Sequence, residues 1–256
     1  MKIKNKTILI TGASSGIGRA VAKQLSQGNN NLIITARRQE LLNEVAETIT
    51  ANGSRCLPIA ADALDENSAT HVIQSAVAEF GQLDIALMNV GDGPAFNMAT
   101  ATAQAIKQNM QINYDTLINF LVPVIQQMKQ QQHGTIAHTN SLAGFLGLPM
   151  QGPYSAAKAA ARILLDSTRI ELEPFNIKVV SLYPGFVATE RIAEDGIPHP
   201  FQISETKAAE HMIKGIASET NDYLFPLPLK LLIKLANNLP KPVVSSILKK
   251  SIPEDY

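Results

Sequence analysis

Residues 7–25, TILITGASSGIGRAVAKQL, constrain the fold more than any other stretch of this chain. A short β-branched run, Thr7–Ile10, passes through glycines 12, 16 and 18 straight into helical spacing over residues 17–27. Only a strand, a tight backbone turn and a helix in immediate succession satisfy that order. The pattern then repeats. Candidate strands at Leu32–Thr35, Cys56–Ala60, Asp84–Asn89, Thr135–Thr139 and Lys178–Tyr183 alternate with helical stretches near 38–52, 66–80, 101–131 and 153–173. Crossovers of ten residues or more call for parallel strands, and runs such as TILI and LIIT are apolar without alternation, as strands covered on both faces should be. The expected fold is α/β: a single doubly wound parallel sheet with helices on both faces.

The pattern changes after about residue 186. Residues 190–204 carry Gly196, Pro198 and Pro200 without periodicity and read as a loop; a helix near 205–219 and a strand at Tyr223–Phe225 complete the sheet. The expected catalytic domain is 1–226, followed by a C-terminal apolar and basic tail at 227–256. The 256 residues, with 45% hydrophobic and 17% charged, suit one sizeable domain. Twenty-two basic residues balance twenty-two acidic ones, so nothing global calls for nucleic acid. The single cysteine, Cys56, excludes an internal disulfide framework and fits a reducing compartment; its apolar neighbours make it an expected core thiol. The N-terminal apolar run is too short for a signal-peptide core, and nothing resembles a spanning helix, so a cytoplasmic location is expected.

In TGASSGIGRA the glycines let the backbone approach a pyrophosphate, whose charge the helix N-terminus receives. The spacing is G-x-x-x-G-x-G. At the end of the second strand, ITARRQE, an NAD site would place a carboxylate for the ribose hydroxyls. This chain has Ala36, then Arg37 and Arg38. A guanidinium holds a 2′-phosphate that a carboxylate would repel, so the expected cofactor is NADP(H). The alternative is that both arginines are a solvated helix start, although cations there oppose the helix dipole.

YSAAK at 154–158 sets Tyr154 and Lys158 one helical turn apart, on one face. A phenol beside a fixed cation is a candidate acid/base. Bringing its pKa from about 10 to about 7 takes roughly 4 kcal/mol of phenolate stabilisation, much of which Lys158 and the positive ring of an oxidised nicotinamide can supply. Taken singly, YxxxK is common on helices, Ser141 could be a turn residue, and Asn113 could cap or kink its helix.

TGASSGIG, MNVG at 88–91, Asn113, Ser141, YSAAK and PGFVAT at 184–189 appear in order, and together resemble the short-chain dehydrogenase/reductase family across roughly residues 5–226. The resemblance implies an oxidoreductase with Tyr154, Lys158, Ser141 and Asn113 in catalytic positions, Asn113 serving a water-linked proton relay behind Lys158. It further implies that Gly12, Ser14, Ser15, Gly16, Ile17 and Gly18 hold the nucleotide, that Asp62 contacts adenine, and that Asn89, Gly91, Pro184, Gly185 and Thr189 line the pocket. Met88 and Val90 depart from the family's Asn-Asn-Ala-Gly pattern, Val90 by added bulk. A homo-dimer or homo-tetramer through the helices at 101–131 and 153–173 is also implied. None of the five histidines has metal-ligand spacing, so no metal is expected.

The expected reaction moves a hydride between NADP(H) and a carbonyl or secondary alcohol of a small, lipophilic substrate. The competing readings are a 3-oxoacyl thioester reductase and a non-catalytic NADP(H)-sensing protein. In the tail, Leu231, Leu232, Leu235 and Leu239 follow helical spacing among lysines. That pattern serves a lid on the cleft, a subunit contact or a peripheral membrane contact.

Overall fold

The computed structural model describes residues 3–190 and 199–252. Seven strands form one parallel sheet: β1 (Thr7–Thr11), β2 (Asn31–Ala36), β3 (Arg55–Ala60), β4 (Ile85–Met88), β5 (Gly134–Thr139), β6 (Ile177–Pro184) and, last in the chain, β9 (Asp222–Phe225). Their order across the sheet is β3-β2-β1-β4-β5-β6-β9. The order reverses between β1 and β4, which is where an open parallel sheet leaves a crevice for a ligand. Pro58 is tolerated inside β3 because that strand lies at the sheet edge.

Each strand feeds side chains to both faces. On β1, Ile8 and Ile10 join one core with Val21 of α1 (Gly16–Leu25), Leu42 and Ile49 of α2 (Gln39–Ala51) and Met212 of α7 (Glu205–Ala217). Leu9 joins the other, with Val72 of α3 (Glu66–Phe80), Phe120 and Val124 of α5 (Thr116–Gln131) and Leu165 of α6 (Gly152–Leu172). This is the doubly wound arrangement. Local chemistry sets the helix ends: Asp65 accepts from the Asn67 and Ser68 amides at the start of α3, and Gly81 closes it in a left-handed conformation.

Three expectations need correction. The stretch 101–131 is not one helix but α4 (Ala103–Met110), a π-helical turn at Gln111–Asp115, and α5. A π turn inserts one residue without breaking the helix, so the apolar spacing barely registers it. Within the expected loop, Ile203–Ser204 forms β8, paired with β7 (Val187–Ala188); Gly196 and Pro198 lie outside the described residues. Cys56 is half-buried rather than fully enclosed, with its thiol pushed up to about 12 by burial.

The tail folds into α8 (Leu227–Ala236) and α9 (Lys241–Leu248). Leu229 and Ile233, not the Leu231–Leu235 stripe, pack inward, against Leu142, Phe145, Tyr183, Phe186 and Leu224.

Candidate active site

The glycine turn leaves β1 with positive φ at Gly12 (65°) and Gly16 (55°), a region that side chains avoid. Gly18 lies so close to the loop that a Cβ would collide with the Gly12 carbonyl oxygen and the Asn89 amide. Asn89 ties this turn to the sheet: its backbone N–H donates to Thr11 Oγ1 at 2.9 Å, and its Oδ1 accepts from Thr139 Oγ1 at 2.8 Å. Ser15 precedes α1 but does not cap it with its side chain. Instead, Arg38 Nη2 donates to Ser14 Oγ at 3.3 Å and Ser15 Oγ at 3.2 Å. A guanidinium is thereby held at the mouth of the turn. Ile17 is partly buried and packs against the core.

Beyond the ends of β4 and β5 lies the second half of the site. Lys158 is buried, 2% exposed, and its Nζ donates to the Thr139 carbonyl oxygen at 2.9 Å. Burial lowers its pKa to about 8. The Tyr154 ring centroid lies 5.6 Å from that nitrogen. Asn113, fully buried in the π turn, accepts from the Asp92 N–H at 2.9 Å, and its Nδ2 donates to the Asp92 and Asn109 carbonyl oxygens at 2.7 and 2.9 Å. Gly91 fits between the two: a Cβ there would stand 2.9 Å from Asn113 Oδ1 and 3.1 Å from Lys158 Nζ. Ser141 starts a short 3₁₀ turn, Leu142–Phe145, by accepting from the Ala143 N–H at 3.1 Å.

The electrostatics depart from expectation at Tyr154. Burial raises the phenol's pKa, the Ser141 hydroxyl opposes that, and the Asp92 charge raises it further. Lys158 does not reverse the shift among the protein's own groups, because its ammonium is itself desolvated and turned toward the Thr139 carbonyl. Spacing on a helix reports that two side chains are neighbours, not which of them pays for burial.

Of the residues singled out in the sequence, the structure gathers Asn113, Gly91, Tyr154, Lys158 and Ser141 into one pocket, and Gly12, Ser14, Ser15, Gly18, Asn89 and Arg38 around the turn. Thr189 leans over Gly16, where a Cβ would lie 3.5 Å from its Cγ2. Pro184 ends β6, and Gly185 follows beneath Leu229. Arg37 and Asp62 are exposed, and Asp62 Oδ1 caps its own turn by accepting from the Leu64 N–H. Val90 packs on the α3–α5 core.

Other pocket residues carried no mark in the sequence reading. Gln151 Nε2 donates to the Gly93 carbonyl at 3.2 Å, and Gly93 faces the Tyr154 ring. Asn109 supports Asn113; the four-residue spacing applied to YSAAK would have found that pair. His138, 1% exposed on β5, sits in register with Ser181 of β6, and burial, then the Lys158 charge, lowers its pKa well below the usual imidazole value.

A dinucleotide fits these residues. The glycine cradle has room that a Cβ would fill, the N-terminus of α1 carries no side-chain cap and suits an anion, and a cation stands beside Ser14 and Ser15. The class that fold and site define is a Rossmann-type oxidoreductase. The chain belongs to the short-chain dehydrogenase family, whose model matches residues 6–196. An uncharacterized oxidoreductase of Myxococcus xanthus is 30% identical over 96% of this chain and 97% of its own. A 3-ketodihydrosphingosine reductase of Bacteroides thetaiotaomicron is 29% identical over 70% of this chain and 62% of its own. Among solved structures, a short-chain type dehydrogenase/reductase from Mycobacterium marinum superposes with a TM-score of 0.81 at 26% identity, covering 88% of this chain and 95% of that one.

Proposed function

We propose that this oxidoreductase is an NADP(H)-dependent carbonyl reductase, or the reverse alcohol dehydrogenase, acting on a ketone or aldehyde with an apolar body. The observation that carries the reading is the buried Asn113 and Lys158 with the partly buried Tyr154 over Lys158 and Ser141 beside the phenol. The nicotinamide, when bound, supplies or takes up the hydride. The chain's own residues handle the substrate oxygen. Ser141 holds it by a hydrogen bond, and Tyr154 gives its proton to it as the carbonyl becomes an alcohol. Lys158 steadies the phenolate left behind, and a proton returns along the Lys158–Asn113 side.

The preference for NADP(H) rests on Arg38. Arg38 is exposed, yet its guanidinium is already oriented toward the glycine turn by two of that turn's hydroxyls, where it can meet a 2′-phosphate. The lipophilic substrate rests on the wall formed by Leu142, Leu229 and Phe186 next to Ser141. The name of the Bacteroides relative is that of a reductase with a lipid ketone as substrate. Self-association is carried by Val122 of α5 and Ile163 and Ile170 of α6, apolar side chains left exposed.

Oxidation of NADPH and NADH against a panel of ketones, aldehydes and 3-oxoacyl thioesters tests the reading. Turnover of apolar ketones with NADPH supports it; preference for NADH, or for the thioesters alone, contradicts it. Arg38→Ala should weaken NADPH binding by about tenfold to a hundredfold while leaving NADH unchanged, the worth of one hydrogen bond to a charged group.

A further inference from the structure

The two C-terminal helices present to solvent what a buried helix would hide. On α8, Leu229 and Ile233 fill the contact with the body, yet Leu227, Leu231 and Leu235, at successive four-residue steps, form a separate stripe on the outer side. Leu231 and Leu235 are 57% and 58% exposed, and Leu232 extends the stripe. On α9, Val243 and Ile247 repeat the pattern one turn apart. Exposed apolar stripes of this kind on a folded protein mark something it binds.

Charge identifies the occupant. Residues 227–252 hold five lysines, Lys230, Lys234, Lys241, Lys249 and Lys250, and no aspartate or glutamate; the tail's two acids, Glu254 and Asp255, follow them. The whole chain balances at 22 of each sign, so the remainder carries an acidic excess of five. Lys230 and Lys234 border the leucine stripe on the same helix. A second copy docking through the leucine stripe would set Lys230 and Lys234 against their own equivalents across a two-fold axis, with no acid on the same helix to offset them. An anionic lipid surface takes both features together: acyl chains receive the leucines and headgroups the lysines. Among the described residues no helix is long and apolar enough to cross a membrane, which leaves the in-plane mode.

We infer that α8 and α9 form an amphipathic element that seats the protein on an anionic phospholipid surface. The inference does not depend on the cofactor or substrate proposed above. It has a consequence for access: α8 lies over Gly185 and Leu142, beside Ser141, so the seated protein turns that side of its pocket toward the bilayer.

The test is flotation of the full chain with vesicles of phosphatidylcholine alone and of phosphatidylcholine mixed with phosphatidylserine. The protein should float with the anionic vesicles, less with the neutral ones, and less again as salt is raised. Lys230→Gln with Lys234→Gln should weaken anionic binding roughly thirtyfold, about fivefold per lysine. Leu231→Ser with Leu235→Ser should weaken it at least about tenfold, with an unchanged thermal unfolding curve because both side chains already face water. Absence of binding to either vesicle, or undiminished binding of the leucine variant, overturns the inference. So does a leucine variant that loses self-association by light scattering while its vesicle binding stays as before, because the stripe is then a subunit contact.

Discussion

Gly91 shows how narrow the tolerances around Asn113 and Lys158 are. Its missing side chain is what lets Asn113 and Lys158 share one pocket, since a methyl group there would press on both within about 3 Å. Gly91→Ala therefore should separate them and lower turnover, while overpacking costs about 1–3 kcal/mol of stability. Steady-state kinetics beside a urea titration would check it; an unaltered kcat would mean the two groups need not be close. That Tyr154, Lys158, Ser141 and Asn113 lie together was legible in the sequence from residue type and order; what they do there is the proposal above. What the sequence hid was polarity of effect. The raised pKa of Tyr154 comes first from burial, and Gly93, about 60 residues earlier in the chain, is among the groups near its ring, which no local spacing reports.

At the scale of elements, the strands and crossovers were legible because each buried strand is a short apolar run bounded by helical periodicity. The π turn was not. It leaves the helix continuous, and its evidence is a side chain, Asn113, turned inward to the 89–93 segment instead of along the helix. That amide is the bolt between the α4–α5 junction and the loop after β4. Asn113→Ala should leave the Asp92 N–H and C=O without it, at a cost of about 2–4 kcal/mol. Chemical denaturation measures the loss, and a change below about 0.5 kcal/mol would show that the junction is held by packing alone. The tail was half legible: helical spacing gave its helices, but the same spacing fits either face, and only contact with Leu142 and Tyr183 decides that Leu229 and Ile233 point in.

Across the whole molecule, the site is maintained against the fold's own stability. Lys158 has a pKa of about 8 in the folded chain, below the value near 10.4 of an unfolded lysine. Between those two values the unfolded chain keeps the proton that the folded chain has released, so this group makes stability rise with pH across that window. Below about pH 8 the charged, desolvated ammonium opposes folding by roughly 3 kcal/mol. Lys158→Met should then raise the unfolding free energy at neutral pH, by up to roughly 3 kcal/mol, flatten its rise above pH 8, and remove activity. A variant less stable than the parent would show that the bond to Thr139 outweighs the burial of charge.

In the proposed reaction Tyr154 moves the proton while the residues around it hold nucleotide and substrate. Tyr154→Phe removes one oxygen and little else. Measured in one preparation, its turnover should fall by roughly a hundredfold to ten-thousandfold while NADPH binding, followed by cofactor fluorescence, stays within about twofold. Turnover kept near that of the parent would contradict the account.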